Sequence, residues 1–142
     1  MTAVTKFDWT TYKILVVEDH SEMLEILCDL FSELGASVLP AKNGIEAIQI
    51  LETHEIHFVF SDVQTPVMSG TELLQKIRAR DPKFPIVLLA TGHAELTEEY
   101  VLASGAVGLI HKPFTMSTLL EKVREVLSIN ASVDGSPTSS HY

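Results

Sequence analysis

The chain has 142 residues, of which 46% are hydrophobic and 20% are charged, and its formal net charge is −9 at pH 7. This composition is typical of one globular domain and excludes a disordered or fibrous chain. The few basic residues disfavour a nucleic-acid-binding surface, because phosphate contacts need clustered Lys and Arg. The single cysteine, Cys28, cannot form an internal disulfide, and no apolar run is long enough to span a membrane. We therefore expect a cytoplasmic protein without membrane contact.

Predicted strands and helices alternate along most of the chain. Residues 1–12 show no sustained period and are predicted to form an N-terminal arm, anchored by Phe7 and Trp9. Continuous apolar runs predict strands at 13–17, 37–41, 57–61, 86–90 and 107–111. Apolar residues at three- and four-residue steps, with glycine or asparagine at several ends, predict helices at about 20–34, 44–51, 71–80, 96–104 and 116–127. The predicted domain spans 13–128, and the small polar residues of 129–142 predict a flexible tail.

Strict alternation of strands and helices implies a parallel sheet with helices on both faces. In such sheets, ligands bind beyond the carboxyl ends of the strands. Five polar residues stand at or just past these predicted ends, namely Glu18, Asp19, Asp62, Thr91 and Lys112. Three acids and one lysine at a single sheet edge are suited to a divalent cation together with a phosphoryl group.

The motifs around these residues resemble the receiver domain of two-component response regulators. They are Ile14 to Asp19, Ser61-Asp62 with Pro66, Met68 and Gly70 downstream, Leu89-Ala90-Thr91, and Lys112-Pro113-Phe114. The motifs stand in the order and spacing of that family and cover about residues 13–128. The resemblance implies a single flavodoxin-like domain, with a doubly wound parallel sheet of five strands in the order 2-1-3-4-5 and five helices.

The resemblance also implies a function. Asp62 would accept a phosphoryl group from the phosphohistidine of a sensor histidine kinase or a phosphotransfer protein, and Thr91 and Lys112 would contact the phosphoryl oxygens. The cofactor would be Mg²⁺, with Mn²⁺ as an alternative, held by Glu18, Asp19, Asp62 and the main-chain carbonyl of Gln64. The outcome would be a conformational change that regulates a partner, so the protein is not expected to be a turnover enzyme.

Three positions modify this expectation. Leu109 stands three residues before the lysine, where the family usually has Tyr or Phe. The rotamer change of an aromatic side chain, which usually follows the threonine shift in this family, is therefore not possible here. Gln64 and His93 occupy the positions that tune dephosphorylation in the family.

A downstream protein is expected to bind the face formed by the fourth helix, the fifth strand and the fifth helix. A weak homodimer is a further expectation of the resemblance.

Other classes fit the sequence less well. A phosphatase of the haloacid-dehalogenase type needs a second Asp two residues after the nucleophile, where this chain has Gln64. A flavin-binding protein needs a phosphate-cradling loop after the first strand, where residues 18–20 would repel phosphate. The H-x-x-H spacing of His54 and His57 lacks partner cysteines for zinc. A receiver-like binding module that works without phosphorylation stays open as the alternative, because Leu109 replaces the aromatic residue.

Overall fold

The computed structural model describes residues 7–134, with side chains described as far as residue 129. After a short 3₁₀ turn at Trp9–Thr11, five strands alternate with five helices. The strands are β1 (Lys13–Val17), β2 (Ser37–Ala41), β3 (Phe58–Asp62), β4 (Ile86–Thr91) and β5 (Gly108–His111). The helices are α1 (Ser21–Glu33), α2 (Gly44–Thr53), α3 (Gly70–Arg80), α4 (Glu98–Ala103) and α5 (Met116–Asp134). None of the described helices is both long and apolar enough to cross a bilayer.

The strands form one parallel sheet in the order β2-β1-β3-β4-β5, which confirms the predicted flavodoxin-like fold. The register aligns the carboxyl ends of the strands, because Val17 is opposite Ser61 and Thr91 is opposite His111. Polar residues that follow these ends are therefore brought to one edge of the sheet.

Each face of the sheet is covered by its own apolar cluster, because successive strand residues point to opposite faces. Helices α1 and α5 cover one face, and their buried side chains pack on Ile14 and Phe58. Helices α2, α3 and α4 cover the other face, where Leu15 and Val59 lie. With both faces covered, the interiors of β1, β3 and β4 are inaccessible to solvent, so a polar site on these strands can lie only at their ends.

Local signals set where the helices start and stop. A capping box starts α3, in which Ser69 Oγ accepts the Glu72 N–H at 3.2 Å and Glu72 Oε1 accepts the Ser69 N–H at 2.9 Å. Asn43 Oδ1 caps α2 by accepting the Glu46 N–H at 2.9 Å. Gly35 ends α1 with a φ of +111°, a conformation that side chains disfavour.

Both chain ends differ from the predicted boundaries. Helix α5 continues to Asp134, because no Gly or Pro interrupts the sequence between Met116 and that residue. Residues 129–134 are therefore helical rather than part of a flexible tail, and 135–142 lie outside the described residues. At the other end, Phe7 packs against the core, and Trp9 and Tyr12 are only 5% and 6% exposed. The predicted anchoring by Phe7 and Trp9 is confirmed, and the arm is part of the fold from residue 7. Residues 1–6 of that arm also lie outside the described residues.

Candidate functional site

Asp62 and Lys112 form an ion pair at the carboxyl edge of the sheet. Asp62 is the last residue of β3 and is only 4% exposed. Lys112, which follows β5, donates from Nζ to Asp62 Oδ2 at 2.9 Å, and the same ammonium lies 3.8 Å from Glu18 Oε1. One cation therefore faces two buried carboxylates, which partly compensates their removal from water.

The backbone around Asp62 is held closely by the loop that follows it. The Val63 N–H donates to the Ala90 carbonyl at 2.8 Å, which continues the strand pairing past Asp62. The Gly70 N–H donates to the Val63 carbonyl at 2.9 Å. A Cβ at Gly70 would lie 2.6 Å from the Asp62 carbonyl oxygen, so a side chain there would displace the strand end. Glycine at this position therefore fixes where the Asp62 carboxylate is presented.

Glu18, Asp19 and His20 form an acidic corner beside this ion pair. Glu18 is 3% exposed, and its Oε2 lies 3.1 Å from the His20 backbone nitrogen and 3.0 Å from His20 Nδ1. The hydrogen bond to Glu18, followed by the charges of Asp19 and Glu18, raises the pKa of the His20 imidazole above its usual value. The three side chains each offer a ligand atom, and these atoms lie within 4.8 Å of one another.

This corner fits a divalent cation. Asp19 Oδ1 is buried and has no hydrogen-bond partner among the described residues. A buried carboxylate oxygen needs a partner, and carboxylate oxygens are the ligands that Mg²⁺ prefers. Of the predicted ligands, Glu18 and Asp19 have ligand atoms within 4.8 Å of each other. Asp62 lies outside that group and is linked to Glu18 through Lys112. The Gln64 backbone N–H donates to Asp62 Oδ1 at 3.3 Å, so the backbone of Gln64 also lies at the site.

His20 belongs to this corner, although the sequence does not predict it to be a site residue. Its ring lies beside two acids, with Nδ1 also 3.5 Å from Asp19 Oδ1. The signal available in the sequence was its position directly after Glu18 and Asp19. That signal is weak, because adjacent residues in a loop can point in different directions.

Gln64 connects the end of β3 to the end of β4. Gln64 Nε2 donates to the Thr91 hydroxyl oxygen at 3.0 Å, and Gln64 Oε1 accepts the Gly92 N–H at 3.3 Å. The Thr91 oxygen also accepts the His93 N–H at 3.0 Å. Thr91 is completely buried, and these two hydrogen bonds fix the position of its hydroxyl oxygen. This direct contact between Gln64 and Thr91 was not predicted from the sequence.

The two remaining predicted positions lie farther from the carboxylates. The His93 ring is 59% exposed and lies 3.4 Å from Glu95 Oε1, on the surface of the loop after β4. Leu109 is 6% exposed and packs in the apolar cluster that α2, α3 and α4 cover. Leu109 thus contributes to the core, and only its backbone is available for polar contacts.

A cavity of about 480 Å³ adjoins the ion pair. Its charged or polar lining comes from Glu18, His20, Asp62 and Lys112. The rest of the lining is apolar and comes from Met23, Leu27, Phe60, Ala90, Pro113 and Phe114. Apolar surroundings strengthen electrostatic interactions, so the carboxylates and the ammonium interact more strongly here than they would in water.

In the H-x-x-H spacing of His54 and His57, where zinc was not expected, His54 is the C-cap residue of α2 and His57 precedes β3. His57 Nδ1 accepts the Lys13 backbone N–H at 2.9 Å, at the amino end of the sheet. The carboxyl edge combines a buried carboxylate, a nearby ammonium, a buried hydroxyl and further acids. These are groups that are suited to nucleophilic chemistry and to cation binding.

Comparison with known proteins confirms the resemblance noted in the sequence. The family model described as response regulator receiver domain matches residues 14–124. The chemotaxis protein CheY1 of Helicobacter pylori is 35% identical over 122 residues, which cover 83% of this chain and 98% of the relative.

Two solved structures share the fold. The response regulator TrrA of Thermotoga maritima, in complex with Mg(2+)-BeF, superposes with a TM-score of 0.73 at 28% identity, covering 82% of this chain and 99% of the other. A chain in the co-crystal structure of the Saccharomyces cerevisiae histidine phosphotransfer protein Ypd1 with the receiver domain of Ssk1 gives a TM-score of 0.75 at 28% identity. That match covers 89% of this chain and 95% of the other.

Proposed function

The chain belongs to the response regulator receiver domain family, and on that premise we propose that it is a phosphoacceptor switch in which Asp62 receives the phosphoryl group. The observation that carries this proposal is the position of Lys112 Nζ, 2.9 Å from Asp62 and 3.8 Å from Glu18. A strand-end carboxylate beside an ammonium and further acids is suited to phosphoryl transfer, which depends on positioning and charge stabilisation.

In the proposed reaction, an Asp62 carboxylate oxygen attacks the phosphorus of a phosphohistidine. A P–O bond forms, the P–N bond breaks, and its electron pair leaves with the imidazole of the donor, which gives an aspartyl phosphate. Lys112 would then contact the phosphoryl oxygens instead of the carboxylate. The Thr91 oxygen accepts two N–H groups, so its proton is available for donation to a phosphoryl oxygen.

The same proposal assigns the cation ligands. Glu18, Asp19, Asp62 and the main-chain carbonyl of Gln64 would hold Mg²⁺. This assignment is supported by Asp19 Oδ1, which is buried without a hydrogen bond among the described residues. Mn²⁺ prefers the same oxygen ligands and is an alternative ion. When bound, the ion supplies positive charge that neutralises the carboxylates and the phosphoryl oxygens. Until then, Lys112 and His20 are the nearby groups that can compensate the acids.

We also propose the kinds of partner. A sensor histidine kinase or a phosphotransfer protein would supply the phosphoryl group in the cytoplasm, in line with the complex of Ypd1 with a receiver domain. A downstream protein would bind the face of α4, β5 and α5, where Tyr100 and Leu102 are 54% and 48% exposed. The protein would catalyse only its own phosphorylation and dephosphorylation, and its product would be a conformation.

Labelling by a small phosphodonor tests the proposal. Incubation with phosphoramidate and Mg²⁺ is expected to add the mass of one phosphate to the wild type, and chelation of the ion is expected to prevent it. Asp62→Asn should remain unlabelled, because an amide is not a nucleophile here. Asp29→Asn, on the exposed side of α1, is the matched control and should be labelled normally. Labelling of Asp62→Asn to the wild-type level would reject Asp62 as the acceptor. A wild type that is never labelled would favour the phosphate-independent binding module.

A further inference from the structure

Glu98, the first residue of α4, joins three elements through one carboxylate oxygen. Its Oε2 accepts the backbone N–H of Leu109 in β5 at 3.1 Å and the Lys122 ammonium in α5 at 3.0 Å. Gly108 leaves room for this contact, because a Cβ there would lie 3.1 Å from both Glu98 Oε2 and Lys122 Cε. The outer edge of β5 is therefore covered by a side chain that ties α4 to α5. We call these contacts of Glu98 with Leu109 and Lys122 the Glu98 bridge.

The Glu98 bridge lies between the two segments that lead to the polar groups of the site. One segment runs from Thr91, at the end of β4, through residues 92–97 to Glu98. The other runs from Leu109 along β5 to Lys112, whose backbone N–H donates to the Thr91 carbonyl at 2.8 Å. A displacement of either Thr91 or Lys112 toward a phosphoryl group would therefore need to pass along only a few residues to reach the bridge.

The strength of the bridge suits a reversible contact. The hydrogen bond from Lys122 lowers the pKa of the Glu98 carboxyl below its ordinary value, with partial burial opposing the shift and the Leu109 N–H adding to it. The side chains of Glu98 and Lys122 are 45% and 26% exposed, so solvent screens part of their attraction. A contact of this kind biases an equilibrium between two conformations without locking either one.

We propose that Glu98 is a positioning residue of the switch. Its contacts hold α4 against β5 while Asp62 is unphosphorylated and break when a phosphoryl group is bound at Asp62. This inference rests on the proposed phosphoacceptor function. It assigns the readout to the Leu109 backbone amide, which is present whatever side chain stands at that position. A contact that favours the unphosphorylated conformation must oppose binding of a phosphoryl mimic, by the reciprocity of linked equilibria.

Titration with beryllofluoride and Mg²⁺, followed by NMR of the ¹⁵N-labelled full chain, tests the bridge. Glu98→Ala removes both contacts and is expected to bind the mimic about fivefold more tightly than the wild type. Glu98→Gln keeps an acceptor for the Leu109 N–H but loses the ion pair, and should fall between the two. Glu99→Ala removes the neighbouring exposed acid from the same helix turn and should bind like the wild type. Exchange of the Leu109 amide should accelerate in Glu98→Ala, and in the wild type when the mimic is added.

The outcomes separate the bridge from the function on which it rests. A wild type that does not bind beryllofluoride would reject the phosphoacceptor function before any variant is compared. Normal binding by the wild type together with unchanged affinity in Glu98→Ala would reject only the bridge, even if the melting temperature of the variant falls. If Glu98→Ala does not fold, Lys122→Met provides the same comparison, because it removes the ion pair and leaves the Leu109 contact. Unchanged affinity in that variant and in Glu98→Gln would equally overturn the inference.

Discussion

The two ends of the sheet are built in opposite ways. The carboxyl end holds Glu18 and Asp62, which are nearly fully buried, with Lys112 between them. The amino end is closed by aromatic side chains and one imidazole. There the Trp9 ring packs 5.8 Å from Phe31, and the Tyr12 ring meets His57 edge-on at 6.2 Å.

The polar groups of the two ends differ in how completely they are satisfied. At the amino end, the ring Nδ1 of His57 accepts the Lys13 backbone N–H, and the backbone N–H of His57 donates to the Lys13 carbonyl, each at 2.9 Å. At the carboxyl end, Asp19 Oδ1 is buried without a hydrogen-bond partner among the described residues. The amino end thus contributes stability, and the carboxyl end holds like charges that a cation can relieve. This contrast is typical of proteins whose binding sites are less stable than their cores.

The largest expected effect is at the amino end. Trp9→Ala should lower the free energy of unfolding by about 3–5 kcal/mol, because it removes a buried ring from the core. Urea unfolding followed by circular dichroism measures this loss. Tyr100→Ala removes an exposed aromatic residue and is the matched control, with an expected change below about 0.5 kcal/mol. A small loss in Trp9→Ala would show that residues 7–12 are not part of the stable core.

The carboxyl end should respond to substitution in the opposite direction. In the presence of chelator, Asp19→Asn is expected to raise the free energy of unfolding by about 1 kcal/mol, because it removes one of the crowded acids. Asp62→Asn should stabilise less, because it also loses the ion pair with Lys112. Thermal melts with chelator and with saturating Mg²⁺ test this, and the gain in Asp19→Asn should disappear when the ion is present. No gain in chelator would indicate that the acids do not repel one another.

The pH dependence sharpens the comparison from the amino end. Burial lowers the pKa of His57 below its usual value of 6.5, with Glu55 opposing this shift and Lys13 adding to it. The His57 imidazole therefore takes up a proton more readily in the unfolded chain than in the folded one. The contribution of neutral His57 to stability is complete above pH 6.5 and is lost as the pH falls toward the folded-state pKa.

His57→Asn keeps an acceptor for the Lys13 N–H but does not titrate, so it isolates this contribution. Between pH 7.5 and 5.5, the free energy of unfolding from urea titrations should fall more for the wild type than for the variant. The difference should be less than about 1 kcal/mol after allowance for solvent screening. His54→Asn changes an exposed histidine and should follow the wild type. Equal slopes in all three proteins would contradict the role of His57.

The smallest expected effect distinguishes two positions within the carboxyl end. Gln64 touches the Thr91 hydroxyl with its side chain, whereas His93 touches it only with its backbone N–H. Gln64→Ala should therefore change the lifetime of the phosphorylated protein by about threefold, and His93→Ala by less. Decay of the acid-labile phosphate measures both, and Mg²⁺ affinity should stay near the wild-type value. Equal lifetimes in the wild type and both variants would reject a role for these positions in dephosphorylation.

The fold and the location of the site were predictable because they depend on features that the sequence shows directly. Apolar runs and their spacing predicted β1 and β2 with the bounds that the structure has. The strand β3 is shifted by one residue, because its backbone pairing continues through Asp62 to the Ala90 carbonyl. Asp62 therefore belongs to the strand itself, which gives its carboxylate a more rigid support than a loop position would.

The contacts within the site were less predictable. The pairs Gln64–Thr91 and Glu98–Leu109 join residues that are distant in sequence, and each depends on the rotamer of one long polar side chain. The small polar residues near the C-terminus predict a tail after residue 128, but α5 continues to Asp134 because no Gly or Pro interrupts it before Gly135. Propensity distinguishes such segments poorly, because tertiary packing can override it.

By itself, the sequence determined the alternation of strands and helices, the parallel sheet, and the meeting of Glu18, Asp62 and Lys112 at one edge. These follow from periodicity and chain topology, which act over short distances along the chain. Only the tertiary structure decided which partner each polar group takes, such as His20 for Glu18 and the Leu109 amide for Glu98. Hydrogen bonds and ion pairs require positions accurate to a few tenths of an ångström, and such positions arise only when helices and strands from different parts of the chain pack together.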